Sequence, residues 1–145
     1  MKDEKTKILV VDDESEIADT LKHFLSARGY EVTSAYSGEE ALNILKHKSI
    51  DLILLDIMMH GTRGAAIAKI IKNNYPQIKI IVVTAYPEEG RKVSQAIALD
   101  GLFFKPLAVQ ELYDKLIGLV SAKGTSAAIQ GDSTKDSYVS NHPPF

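Results

Sequence analysis

Polar residues stand at four places in this 145-residue chain where an apolar run stops: Asp12-Asp13 after ILVV, Asp56 after LILL, Thr84 after IIVV and Lys105 after LFF. Singly, each has an ordinary explanation. An Asp at a strand end often caps the next helix, a Thr suits a strand because it is β-branched, and most lysines are solvated. Gathered in one place, they would form a chemically coherent set with a charge problem. Two unit charges about 4 Å apart repel by roughly 4 kcal/mol at an effective dielectric near 20, so three clustered carboxylates need a cation. Magnesium suits such a set: it is hard, prefers oxygen, and commonly joins one or two carboxylates to a phosphate. With an ammonium and a hydroxyl beside it, the cluster could accept a phosphoryl group, an Asp carboxylate serving as the nucleophile.

The elements between these residues determine whether they meet. Short aliphatic runs at Lys7–Asp12, Glu31–Ala35, Asp51–Asp56, Ile78–Thr84 and Gly101–Lys105 read as strands. Helical spacing fills the intervals: Glu14–Arg28 keeps Ile17, Leu21, Phe24 and Leu25 on one face, and Gly38–His47 does the same with Ala41, Leu42 and Leu45. Gly64–Asn74, Glu88–Leu99 and Val109–Val120 complete a series of βα units. Parallel strands need crossover connections that helices supply, so the alternation predicts an α/β fold with a parallel sheet covered on both faces. Gly29 is placed to end the first helix, Ser37 to cap the second, and Asn73-Asn74-Tyr75-Pro76 to stop the third. Ligands of open parallel sheets bind beyond the carboxyl ends of the strands. That is the edge on which the polar set falls.

Composition limits the alternatives. The net charge is −2, with acids crowded near the start, so no basic surface for nucleic acid is expected. There is no Cys, which excludes disulfides, thiolate metal sites and a Cys nucleophile. The charged MKDEKTK start and the short apolar run after it fit no signal peptide, and no apolar run reaches membrane-spanning length. A soluble, cytoplasmic protein is expected. From about Ser121 the hydrophobic period is lost, and residues 122–145 read as a disordered tail, a linker remnant or a non-native end.

The spacing of Asp12-Asp13, Asp56, Thr84-Ala85 and Lys105-Pro106 resembles the receiver domain of two-component response regulators, over residues 5–121. The resemblance implies a flavodoxin-like (βα)5 three-layer sandwich with strand order 2-1-3-4-5. It implies Asp56 as phosphoacceptor, a magnesium site (manganese being the alternative ion) formed by Asp12, Asp13, Asp56 and the Met58 carbonyl, and phosphoryl contacts from Thr84, Lys105 and the Ala85 backbone. A cis Lys105–Pro106 bond is implied too. The donor would be a sensor histidine kinase or a histidine phosphotransfer protein. The output would be a downstream protein or an attached output domain, reached through the fourth helix, fifth strand and fifth helix, a face through which homodimers also form. Such a domain is a signalling phosphoacceptor and not an enzyme in the ordinary sense, although it assists its own phosphorylation and dephosphorylation.

Departures from the pattern bear on tuning. His60 stands where such receivers commonly have Pro, and His60-Gly61 should loosen the loop. Leu102 occupies the usual place of a switch aromatic, so the fourth helix is expected to shift without an inward-swinging ring; Phe103 and Phe104 are read as core residues of a buried strand. Met58 and Tyr86 flank the phosphoryl position and offer no base, which predicts slow loss of the phosphoryl group. Three rivals remain. A flavodoxin-like nucleotide binder should present glycines and N–H groups where this chain presents Asp12-Asp13-Glu14. An Asp-nucleophile phosphatase should carry an acid where Met58 stands. The third is a receiver-like interaction module that works without phosphorylation.

Overall fold

The computed structural model describes residues 5–59 and 62–124. Its main sheet is parallel and contains β1 (Lys7–Val11), β2 (Glu31–Ala35), β3 (Leu52–Leu55), β6 (Lys79–Thr84) and β7 (Gly101–Phe104), in the order β2-β1-β3-β6-β7. Between β3 and β6 lies an antiparallel pair of two-residue strands, β4 (Met58–Met59) and β5 (Thr62–Arg63), which the hydrophobic pattern does not foretell. With that pair set aside, the order is the expected 2-1-3-4-5 of the flavodoxin-like fold. The helices are α1 (Ser15–Ser26), α2 (Gly38–His47), α3 (Gly64–Asn74), α4 (Pro87–Ala96) and α5 (Val109–Gly124). The chain divides into a unit that ends at Ala108 and a second that begins with Val109.

Alternate residues of a strand point to opposite faces, and each face of the central strands is apolar. Leu9, Val11, Ile53, Leu55, Ile80 and Val82 form one core with Ala41 and Leu45 of α2, Ile67, Ala68 and Ile71 of α3, and Val93 of α4. The residues between them, Ile8, Val10, Leu54, Ile81 and Val83, are buried as well. On that other face α1 packs against β1 and β2 through Ala18, Leu21 and Leu25. In the second unit, α5 carries Leu112 and Leu116 one turn apart as buried residues.

The helix ends follow local chemistry. Gly29 takes φ 95°, and the Tyr30 N–H donates to Leu25 O at 3.3 Å, closing α1. Ser37 Oγ accepts from the Glu40 N–H at 3.0 Å while the Glu40 carboxylate accepts from the Tyr36 N–H at 2.8 Å, a reciprocal cap for α2. Pro87 opens α4, which ends at Ala96 and not at Leu99 because Ile97 turns extended and buries its side chain in the core. Gly64 begins α3 against the backbone of Ile57, whose carbonyl accepts the Gly64 N–H at 3.0 Å. A Cβ there would overlap the Ile57 main chain, so the turn after β3 requires glycine. The His60-Gly61 step lies outside the described residues, as does most of the expected tail; α5 itself continues to Gly124.

Candidate functional site

The sheet register brings two carboxylates together. Val11 lies beside Ala35 and Leu55, and the ladder runs one residue further, with the Asp12 N–H on Ala35 O at 3.1 Å and the Asp56 N–H on Val11 O at 3.0 Å. Asp12 and Asp56 therefore leave neighbouring strands side by side, 3% and 5% exposed. The same local bond then recurs at three strand ends. Asp12 Oδ1 accepts from the Glu14 N–H at 2.9 Å, Asp56 Oδ1 from the Met58 N–H at 3.0 Å, and Thr84 Oγ1 from the Tyr86 N–H at 3.0 Å. Each is a side chain holding the backbone two residues on, which turns the chain off the strand and fixes the side chain toward the edge. Each bond also leaves the second oxygen of each Asp open to another donor, and the proton of the Thr84 hydroxyl available to an acceptor.

Lys105 closes the cluster from the other side. Its N–H donates to Thr84 O at 2.9 Å, continuing the β6–β7 ladder past Phe104, and the Lys105–Pro106 bond is cis. Its ammonium lies 2.9 Å from Asp12 Oδ2, 3.2 Å from Asp56 Oδ2 and 3.4 Å from Glu14 Oε1. Burial alone would lower the Lys105 pKa, but the Asp12 and Asp56 carboxylates outweigh it and hold the group above its ordinary range. Asp56 moves the other way from most paired acids. Burial, helped by the Asp12 charge, raises it from 3.8 to about 6 against the opposing pull of the Met58 N–H and Lys105. One ammonium is thus too little for this set of acids.

Carboxylate oxygens of Asp12, Asp13 and Asp56 lie within 4.8 Å of one another. These are hard oxygen donors, drawn together in spite of repulsion and burial, and the donor set fits a divalent cation of the magnesium type. Asp13 and Asp56 open on a cleft of about 710 Å³ whose lining also includes Met58, Ala85, Tyr86 and Lys105. Met58 and Tyr86 are its large exposed apolar side chains, at 43% and 53%.

A profile of the response regulator receiver domain matches residues 8–117. The chain belongs to the response regulator receiver family. The receiver is 38% identical to the response regulator TrrA of Thermotoga maritima, solved in complex with Mg2+-BeF, over 79% of this chain and 98% of that one, with a TM-score of 0.72. It is 28% identical to a CheY-like receiver domain protein of Methanospirillum hungatei, over 83% and 97%, with a TM-score of 0.78. A two-component response regulator from Clostridium difficile is similar at 27% identity, over 83% and 100%, with a TM-score of 0.77. Receivers are signalling domains that act with histidine kinases or phosphotransfer proteins. Among the described residues of this one, no helix is long and apolar enough to cross a membrane.

The receiver's remaining candidates divide. Leu102 is half-buried and packs against the main core. Phe104 is not a core residue: β7 is the sheet's edge strand, and the ring is 38% exposed, with the Arg91 guanidinium 5.7 Å from its centroid. Two participants escaped the sequence reading. Glu14 reaches Lys105 although its place beside Asp13 could have flagged it. Gly90 sits inside α4 where a Cβ would lie 3.1 Å from Thr84 Cγ2 and 3.0 Å from Leu102 Cδ1, and an interior helix glycine is itself the available signal.

Proposed function

We propose that the domain, over residues 5–121, is a phosphoacceptor in a two-component relay and that Asp56 takes the phosphoryl group. The observation that carries this reading is the buried Asp56 carboxylate, fixed by the Met58 N–H at 3.0 Å and facing Lys105 at 3.2 Å beside two further acids. An Asp56 oxygen attacks the phosphorus of a phosphorylated imidazole on a sensor kinase or phosphotransfer protein. As the new P–O bond forms, the P–N bond breaks, and its electron pair stays with the imidazole nitrogen, which takes up a proton.

Asp12, Asp13 and Asp56, with the Met58 carbonyl, would hold magnesium, or manganese in its place. When bound, the ion would offset the charge of the acids and of the phosphoryl oxygens. Lys105 exchanges a carboxylate for a phosphoryl oxygen. Thr84, already accepting from Tyr86, donates its hydroxyl proton to another, and Ala85 offers its backbone N–H. Met58 and Tyr86 bring no base to the cleft, so the acyl phosphate is slow to hydrolyse. Binding and release of a downstream protein, an output domain or a second copy of the chain then follow from the part of the surface carried by α4 and β7. A domain that takes its phosphoryl group from such donors works in the cytoplasm.

Incubation with Mg2+ and phosphoramidate or acetyl phosphate tests the acceptor. The chain should gain one phosphoryl group by intact mass, and Asp56→Asn or removal of Mg2+ should abolish the gain. No gain in the native chain would favour the interaction module that works without phosphorylation.

A further inference from the structure

The chain has no Cys, and of its methionines Met58 and Met59 lie among the described residues. Both line the cleft beside Asp56, but Met59 is 7% exposed and packed into the main core, whereas Met58 is 43% exposed. Its main chain is also tied to the acceptor, the Met58 N–H donating to Asp56 Oδ1. The one described thioether open to solvent therefore borders the carboxylate that takes the phosphoryl group, a position in which its chemistry can alter the site without disturbing the core.

We propose that Met58 is a modification site at which peroxide oxidation to the sulfoxide shortens the lifetime of the Asp56 phosphoryl group. The inference rests on the phosphoacceptor reading above. In the oxidation, a lone pair of the Met58 sulfur takes one oxygen from the peroxide. The S–O bond forms as the O–O bond breaks. Sulfur is oxidised by two electrons, the peroxide is reduced by two, and the second oxygen leaves as hydroxide and is protonated to water. The product is a polar, chiral side chain in place of a flexible apolar one. The thioether covers the acyl phosphate with apolar surface and accepts hydrogen bonds only weakly. A sulfoxide oxygen is a strong acceptor and holds water in the same cleft. Hydrolysis should accelerate by about three- to tenfold, the worth of roughly one hydrogen bond to the attacking water.

The test treats the full chain with hydrogen peroxide, maps the added oxygen by peptide mass spectrometry, phosphorylates it with phosphoramidate and Mg2+, and follows decay of the phosphoryl group after desalting. Oxygen should be gained at Met58 well before Met59, decay should quicken, and methionine sulfoxide reductase should restore the original rate. Met58→Leu, compared with and without peroxide, should show no change. Equal oxidation of Met58 and Met59, equal decay of oxidised and reduced protein, or peroxide-quickened decay in Met58→Leu would overturn the proposal. Failure of the untreated chain to gain a phosphoryl group would instead overturn the acceptor reading, and the redox effect with it.

Discussion

Asp56 illustrates how far residue types alone reach. Its place after LILL was legible because a carboxylate ending a buried strand calls for an explanation, and its spacing from Asp12-Asp13, Thr84 and Lys105 supplied one. The turn bonds that aim these side chains were not legible, since they depend on backbone angles after each strand. Nor was the electrostatic state of the acceptor. In the folded chain the Asp56 pKa, about 6, stands above the unfolded value of 3.8, so the native state binds the extra proton between them. The contribution to stability is present in full below the unfolded pKa and is lost as pH rises through the folded one. At pH 7 without metal, the ionised acceptor therefore destabilises the fold by up to about 3 kcal/mol. Asp56→Asn should be more stable than the native chain by about 1–3 kcal/mol in metal-free urea unfolding at pH 7, and the difference should shrink toward zero by pH 4. A difference that stays constant across that range would show that Asp56 does not carry the strain.

At the scale of elements, short apolar runs located every strand of the main sheet and the 3.6-residue repeat located every helix among the described residues, because strands covered on both faces are continuously apolar and helices covered on one face are not. This pattern missed β4 and β5, which are too short to show a period, and it misjudged Phe104, because a run of apolar residues does not reveal that its strand is an edge. The tertiary fit of α4 was equally hidden. Only Gly90 and Val93 of this helix are buried, and a Cβ on Gly90 would meet the Thr84 methyl, Leu102 and the Phe104 ring. Since Thr84 and Phe104 are register partners on adjacent strands and both face Gly90, a shift of the Thr84 side chain toward the helix should be felt by α4 with no aromatic at position 102. Gly90→Ala gains about 1 kcal/mol of helix propensity and loses about as much to crowding, so the fold should tolerate it. The added methyl pins Thr84. Asp56 should still be phosphorylated, while the change in α4 amide shifts on adding beryllofluoride and Mg2+ should be roughly halved. A response of native size would exclude this contact as the coupling.

At the scale of the whole molecule, membership of the receiver family ties the fold and the acid cluster into one thermodynamic system. The acids come from loops after β1 and β3, far apart in sequence, so only the folded chain presents them within 4.8 Å of one another. A cation that binds this set binds the native state alone and must stabilise it, by about 2.7 kcal/mol at a hundredfold excess over its dissociation constant. For a domain near 100 residues that is a rise in Tm of roughly 10 °C or more, at about 4–8 °C per kcal/mol. Two competitors oppose it. Lys105 already occupies Asp12 and Asp56, and below pH 6 Asp56 increasingly holds a proton. The Mg2+-dependent rise should therefore be large at pH 7.5, shrink markedly by pH 5, and disappear in Asp12→Asn at either pH. Scanning calorimetry with and without Mg2+ measures all three. A rise that is the same at both pH values would mean that the ion binds elsewhere, because at this cluster protons and metal compete for the same oxygens.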